Sequence, residues 1–257
     1  MLEHLEQILN CEDIDSIWAL HCERMAQYGF DRLLYALTRF HTSNGFGNLD
    51  DTLILSNHDP AYLTAFLDTG AFNDGPMVKW AAQNVGYCSW RWIAEQMEAG
   101  KLDAAEMKVV ELNLRHGVRA GVSISFPDVN VRTKGGIGLC AREDLRQHEV
   151  DAIWNEYGRE LMVINNVTHL RISSLPYKTK RGSLTPRQRE VLEWVADGKT
   201  AADIATIMGL TVATVEKHLR LTRDALDVET TAQAVLKASV QKQIFLAGPP
   251  PQRSKNY

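Results

Sequence analysis

The chain has 257 residues, 45% hydrophobic and 23% charged, a mix that fits one or two soluble globular domains and excludes a wholly disordered chain. No apolar run approaches the roughly 18 residues of a membrane span, and the acidic N-terminus lacks the basic start of a secretory signal. The net charge of −4 hides an asymmetry: residues 1–170 hold 14 basic and 24 acidic side chains, whereas residues 171–257 hold 14 and 8, so a body at −10 precedes a segment at +6, the imbalance of an attached polyanion-binding module.

In chain order, residues 2–28 carry apolar side chains at helical spacing (Leu2, Leu5, Ile8, Leu9, Ile14, Ile17, Trp18) and read as one or two helices. Leu33–Phe40 and Thr52–Ser56 read as strands. Ala61–Leu67 and Met77–Gln83 read as short helices led by Pro60 and Pro76. Tyr87–Trp90 fits a short strand, and Ala104–His116 an amphipathic helix closed by Gly117. Gly121–Phe126 and Gly136–Ala141 alternate as strands, and Leu145–Leu170 is a long helix. Helices at both ends with strands between predict an α+β domain over residues 1–172, an α-β-α sandwich on a largely antiparallel sheet. Five of six tryptophans precede residue 170. Residues 173–183, with Pro176, Gly182 and a basic cluster, read as a linker, and 247–257, with three consecutive prolines, as a flexible tail.

Residues 184–246 are punctuated more sharply. Thr185 is a good N-cap, Pro186 fits the first turn, and Gln188 closes a capping box; Val191, Leu192 and Val195 make the inner face before Gly198. Thr200 and Asp203 open a short helix with Ile204, Ala205 and Ile207 inward, ended by Gly209. Thr211 caps a third helix with Val212, Val215, Leu219 and Leu226 on one stripe. Thr230 caps a fourth, through Ala234, Val235, Ala238 and Phe245. A short helix, a turn of about three residues and a longer helix make a helix-turn-helix. The outer side of the third helix offers Ala213, Thr214, Glu216, Lys217, Arg220 and Arg223: small residues at its start let it enter a major groove, and basic ones reach bases or phosphates. A plain four-helix bundle also has capped helices and a charged outer face, but not such a small second helix.

Leu184-Thr185-Pro186-Arg187-Gln188-Arg189-Glu190-Val191-Leu192, Ala196-Asp197-Gly198-Lys199-Thr200, Ile204-Ala205 and Thr214-Val215-Glu216-Lys217-His218 resemble the LuxR-type DNA-binding domain, with motifs in order and register. The resemblance implies a four-helix domain that binds double-stranded DNA as a homodimer on an inverted repeat. By position, Glu216, Lys217 and Arg220 stand at the DNA, Arg220 suited to guanine and Lys217 to phosphate. Glu216 departs from the basic residue often found there, Ala225 from a lysine and Thr231 from an arginine; Glu190 is expected to bond within the domain.

The N-terminal layout resembles the autoinducer-binding domain of quorum-sensing LuxR-type regulators. That family carries Trp-x-x-x-Tyr, Asp-Pro, a Trp and a Gly; here the run is Tyr62-Leu63-Thr64-Ala65-Phe66, Asp74-Gly75-Pro76, Trp90 and Gly121. The resemblance implies a small-molecule autoinducer, an N-acyl-homoserine lactone, with no other cofactor. Its carbonyls need donors, its amide N–H an acceptor, and its chain an apolar tunnel. By position Tyr62 donates to the lactone carbonyl, Asp74 accepts from the amide, Trp90 packs on the ring, Ser123 and Cys140 touch the chain, and Tyr35, Phe40, Phe66, Phe72 and Tyr87 line the tunnel. Tyr62 replaces the family's Trp, Phe66 its Tyr, and its Asp falls on Gly75 unless the register shifts by one residue. A lost hydroxyl alters specificity strongly, so a different small molecule, or none, is the alternative.

An enzyme is the competing class. The eight histidines show no His-x-His or His-Glu-x-x-His spacing, and neither a Gly-x-Ser-x-Gly elbow nor a P-loop occurs. Cys11, Cys22, Cys88 and Cys140 are far apart and read as reduced thiols, with no metal site and a cytoplasmic location expected.

Overall fold

The computed structural model describes residues 1–39, 46–127, 132–177 and 184–245. They belong to two compact units that divide after Leu175. Phe40, residues 178–183 of the expected linker and the 247–257 tail lie outside the described residues.

In the first unit the helical period over 2–28 resolves into α1 (Leu2–Asn10) and α2 (Ile14–Gln27). The break is local chemistry: Asp13 takes extended φ/ψ and its carboxylate accepts from the Ser16 amide at 2.7 Å, restarting the helix. Among the described residues five strands follow, β1 (Phe30–Thr38), β2 (Leu53–Ser56), β3 (Gly86–Ser89), β4 (Gly121–Ser125) and β5 (Lys134–Ala141). They form one sheet in the order β2-β1-β5-β4-β3, with every neighbouring pair antiparallel. Helices α3 (Pro60–Leu63), α4 (Pro76–Gln83), α5 (Arg91–Glu98) and α6 (Ala104–Arg115) lie between strands in sequence, and α7 (Gln147–Ser174) ends the unit. With α2 and α7 packed on one face and α4 on the other, the unit is the expected α-β-α sandwich.

The sequence pattern predicts no helix over 91–98, where it reads only the short strand Tyr87–Trp90 before it; α5 has no buried residue and lies on the site rather than in the core. The predicted helix 61–67 is also altered. It starts on an Asp59 cap and Pro60, but from Thr64 to Asp68 it widens to a π-helical turn, and a single 3₁₀ turn (Ala71–Asp74) follows.

Strand alternation sorts the side chains. On β1, Leu34 and Ala36 face the α3–α6 layer. Tyr35 faces the other way, 6.4 Å from the Trp18 ring and hydrogen-bonded to His169 Nδ1 at 2.9 Å. That second layer is unusually polar for a core. His21 meets Asn165 Oδ1 at 3.1 Å and Thr168 Oγ1 at 3.2 Å, and His169 stacks on Phe126 with centroids 4.1 Å apart. Gly135 of β5 has no side chain because a Cβ would meet the His169 ring.

Burial holds these imidazoles neutral. It draws His21 down to about 3 against the opposing Asn165 bond, and His169 and the cavity-side His58 down to about 4. The unfolded chain takes up protons near pH 6.5 while the folded one does not, so stability is retained above that pH and lost as pH falls toward 4. Each histidine contributes up to about 1.4 kcal/mol of loss per pH unit in that window. Urea melts of the first unit's transition at pH 7 and pH 5 should separate clearly; superimposable melts would contradict the neutral core.

The second unit packs α8 (Pro186–Ala196), α9 (Ala201–Met208), α10 (Val212–Leu226) and α11 (Thr231–Val240) around Val191, Leu192, Ile204, Val215, Leu219, Leu226, Ala234 and Ala238. Thr185–Gln188, Thr200–Asp203 and Thr230–Gln233 close capping boxes, and Thr211 caps α10 on the Thr214 amide. Gly209 ends α9 at φ 64°, a left-handed conformation that suits glycine. Two residues expected inside are outside: Ile207 is 48% and Val212 47% exposed. Met208 packs inward instead; helices this short place their terminal apolar residues at the rim. α11 stops at Val240, and Phe245 is exposed beyond it.

Candidate ligand cavity and DNA-reading helix

A cavity of about 260 Å³ lies in the first unit between the sheet and the α3–α6 layer. Its floor is β1, β4 and β5, with Leu34 and Ala36, Ser123 and Ile124, and Gly136 to Gly138. The glycines at alternate positions of β5 are what open it. At Gly138 a Cβ would find only Trp90 Cζ2 at 3.8 Å and the Leu34 carbonyl at 4.0 Å, whereas at Gly136 it would press on Phe46 and the Ile124 carbonyl at 3.3 Å. The walls are aromatic. Tyr62 and Phe66 stack at 5.3 Å, Phe66 and Phe72 meet edge-on at 5.7 Å, and His58 lies 4.8 Å from the Tyr62 ring. Ile93, Ala94 and Met97 of α5 and Val110, Asn113 and Leu114 of α6 complete the lining, with Arg119.

Trp90 is held from three sides. Its indole Nε1 donates to Ser123 Oγ at 2.9 Å, and its backbone N–H donates to the Gly121 carbonyl at 3.1 Å. Gly121 must be glycine here, since a Cβ would meet Trp90 Cζ3 at 2.9 Å and the Leu139 carbonyl. Gln147 from α7 bonds both the N–H and the C=O of Gly121 and reaches Asp151, which also takes Ser89 and Arg91. The Tyr62 hydroxyl donates to Asn113 Oδ1 at 3.0 Å, and burial raises its pKa.

Of the ligand residues expected from sequence, Tyr62, Phe66, Phe72, Trp90 and Ser123 line this cavity. Asp74 does not: it closes the 3₁₀ turn, its side chain is 47% exposed, and it sits 3.7 Å from Lys79 Nζ, which also pairs with Asp103 and Glu106. Gly75 lines the cavity in its stead. Tyr35 is on the opposite face of the sheet by strand parity. Cys140 shares the cavity-side core but lies outside the lining, its thiol pushed up to about 12 by burial. Tyr87 is half exposed on edge strand β3 and packs on Trp154. Sequence reasoning missed His58, Asn113, Arg119 and α5. The period-two glycines of β5 were the legible signal for the floor.

In the second unit α10 presents Ala213, Glu216, Lys217 and Arg220 to solvent. Arg220 forms an i,i+4 pair with Asp224 at 3.1 Å, both well exposed, an arrangement worth little to stability. Thr214 bonds back to Thr211 within the cap. Arg223 differs from the sequence expectation: it is half-buried and donates to Thr231 Oγ1 at 3.0 Å, tying α10 to α11. Glu190 pairs with Arg187 at 2.7 Å inside the unit.

Residues 13–172 match the autoinducer binding domain family, and residues 182–238 match the bacterial regulatory proteins, luxR family. The chain is 40% identical to the quorum sensing-dependent transcriptional regulator RpaR of Rhodopseudomonas palustris over 31% of its own length, spanning 32% of that relative. With the transcriptional activator VanR of Vibrio anguillarum it shares 26% identity over 73% of this chain and 75% of VanR. The crystal structure of the N-acylhomoserine lactone dependent LuxR family factor CepR2 from Burkholderia cenocepacia superposes with a TM-score of 0.52 at 14% identity, covering 66% of this chain and 92% of CepR2, a likeness of fold. Among the described residues no helix is long and apolar enough to cross a membrane. The chain belongs to the LuxR family of quorum-sensing transcriptional regulators, with an autoinducer-binding domain ahead of a LuxR-type helix-turn-helix.

Proposed function

We propose that this chain is a cytoplasmic transcriptional regulator whose cavity takes a small molecule and whose α10 reads promoter DNA, as a homodimer on an inverted repeat. The observation that carries the ligand half is the aromatic cavity held open by Gly136 and Gly138. A hollow of this kind forfeits packing that a ligand restores. Tyr62, Phe66, Phe72, Trp90 and Ser123 contact that ligand. Thr214, Glu216, Lys217 and Arg220 face the DNA, with Arg223 acting through Thr231.

Two ligand readings follow from the family: an N-acyl-homoserine lactone, or another small molecule. Asp74 favours the second. Its carboxylate is engaged with Lys79 away from the cavity, so the amide N–H of an acyl-homoserine lactone meets no acid there. A volume of about 260 Å³, just below the ~300–1,000 Å³ usual for ligand pockets, favours a compact molecule over a long acyl chain.

The test is the melting temperature of the full chain against a panel of small molecules that includes closed and ring-opened acyl-homoserine lactones. A true ligand at about 100 times its Kd adds about 2.7 kcal/mol. Failure of every compound to shift folded, DNA-binding protein would contradict the ligand reading.

A further inference from the structure

Apart from neutral His58, which carries one donor and one acceptor nitrogen, the polar side chains of the cavity are weighted toward donors. Among the described residues Arg119 is the one formally charged side chain in the lining; it is exposed, and no acid among them pairs with it. Its neighbours in exposure, Met97 and Leu114, mark with it where the cavity meets solvent. Deeper in, Ser123 Oγ accepts from Trp90 at 2.9 Å, which leaves the hydroxyl proton of Ser123 to give away. Asn113 Oδ1 accepts from Tyr62 at 3.0 Å, so its amide N–H groups are the part of it still to be used. Among the described residues no carboxylate lines the cavity. A ligand that demands a strong acceptor is poorly served, and one that brings its own is well served.

Given the small-molecule reading above, on which this rests, we propose that the effector is a compact apolar monocarboxylic acid. Its carboxylate pairs with Arg119 at the cavity mouth and its hydrocarbon body lies among the rings of Tyr62, Phe66, Phe72 and Trp90. An arginine fork is well shaped to receive a carboxylate. The apolar body replaces the contacts that Gly138 leaves unmade, and the acid needs no amide acceptor.

The probes are octanoate and phenylpropionate, their methyl esters, and N-hexanoyl-homoserine lactone with its ring-opened acid, titrated calorimetrically into the full chain. At least one acid should bind roughly twofold to fivefold tighter than its ester, the range for a partly screened charge pair. The ring-opened acid should outbind the closed lactone. Arg119→Gln should bring acid and ester to the same affinity, and Arg119→Lys should restore part of the gap. Esters binding as tightly as acids, a preference for the closed lactone, or a gap that survives Arg119→Gln would each overturn the acid class while leaving the cavity as a ligand site. No binding by any of the six compounds, together with no shift across the wider panel, would sink both.

Discussion

Gly138→Val should weaken ligand binding by roughly one to two orders of magnitude while leaving the protein folded. The added side chain points into the cavity, where its Cβ has no neighbour closer than 3.8 Å, so the strand accepts the first carbon without a clash and the two methyls take up cavity space. Valine is also a better strand residue than glycine, and the melting temperature of the unliganded variant should hold or rise. The ligand then competes for volume already filled. Overpacking of this kind costs about 1–3 kcal/mol, roughly fivefold to 150-fold in affinity. Titration of the best compound from the melting panel into both proteins gives the comparison. Unchanged affinity in Gly138→Val would place the ligand elsewhere. Gly136→Val is the contrasting variant: its Cβ meets Phe46 and the Ile124 carbonyl at 3.3 Å, so it should lose stability as well as binding.

The second large effect is expected at Arg220. Its partner Asp224 is on the same exposed face, so Arg220→Ala should hardly alter folding. On DNA the loss of a bidentate base contact costs about 1–3 kcal/mol and relaxes the preference at one base pair. Fluorescence anisotropy on a duplex selected by the wild-type protein from a randomised pool measures both. Lys217→Ala should instead weaken binding to all sequences alike and flatten its salt dependence. Arg223→Ala separates the two roles on one helix: because Arg223 holds Thr231 of α11, its loss should appear first in the melting temperature. Equal DNA affinity of Arg220→Ala and wild type would remove α10 from the base-reading role.

Most of the architecture was legible because local chemistry writes it. Thr185, Thr200, Thr211 and Thr230 each stand where a helix starts, and each side chain accepts from the amide three residues on. Alternation exposed the core strands for the same reason. What escaped depends on parity and on neighbours distant in sequence. Tyr35 looked like a cavity residue as an aromatic near the others, but one position on a strand decides the face. The short segment 61–75 departs from a regular helix into π and 3₁₀ turns, and that change of pitch decides that Gly75 lines the cavity while Asp74 meets Lys79. Asn113 and Arg119 come from α6 and the segment after it, far in sequence from the motif that marked Tyr62, so no local pattern joined them. Of the helix-turn-helix, the order and caps were readable, but the inward engagement of Arg223 required the position of α11.

If occupancy of the cavity controls DNA binding, operator affinity measured with and without ligand at the concentration that saturates wild type, in wild type and in Gly138→Val, reads it directly. Linkage requires that a ligand that changes the DNA-binding state change DNA affinity by the factor that DNA changes ligand affinity. Wild-type affinity should change with ligand, matched by an equal change in ligand affinity when DNA is present, and Gly138→Val should respond only at correspondingly higher ligand concentration. Ligand that binds the wild-type cavity and leaves operator affinity unchanged would contradict that control.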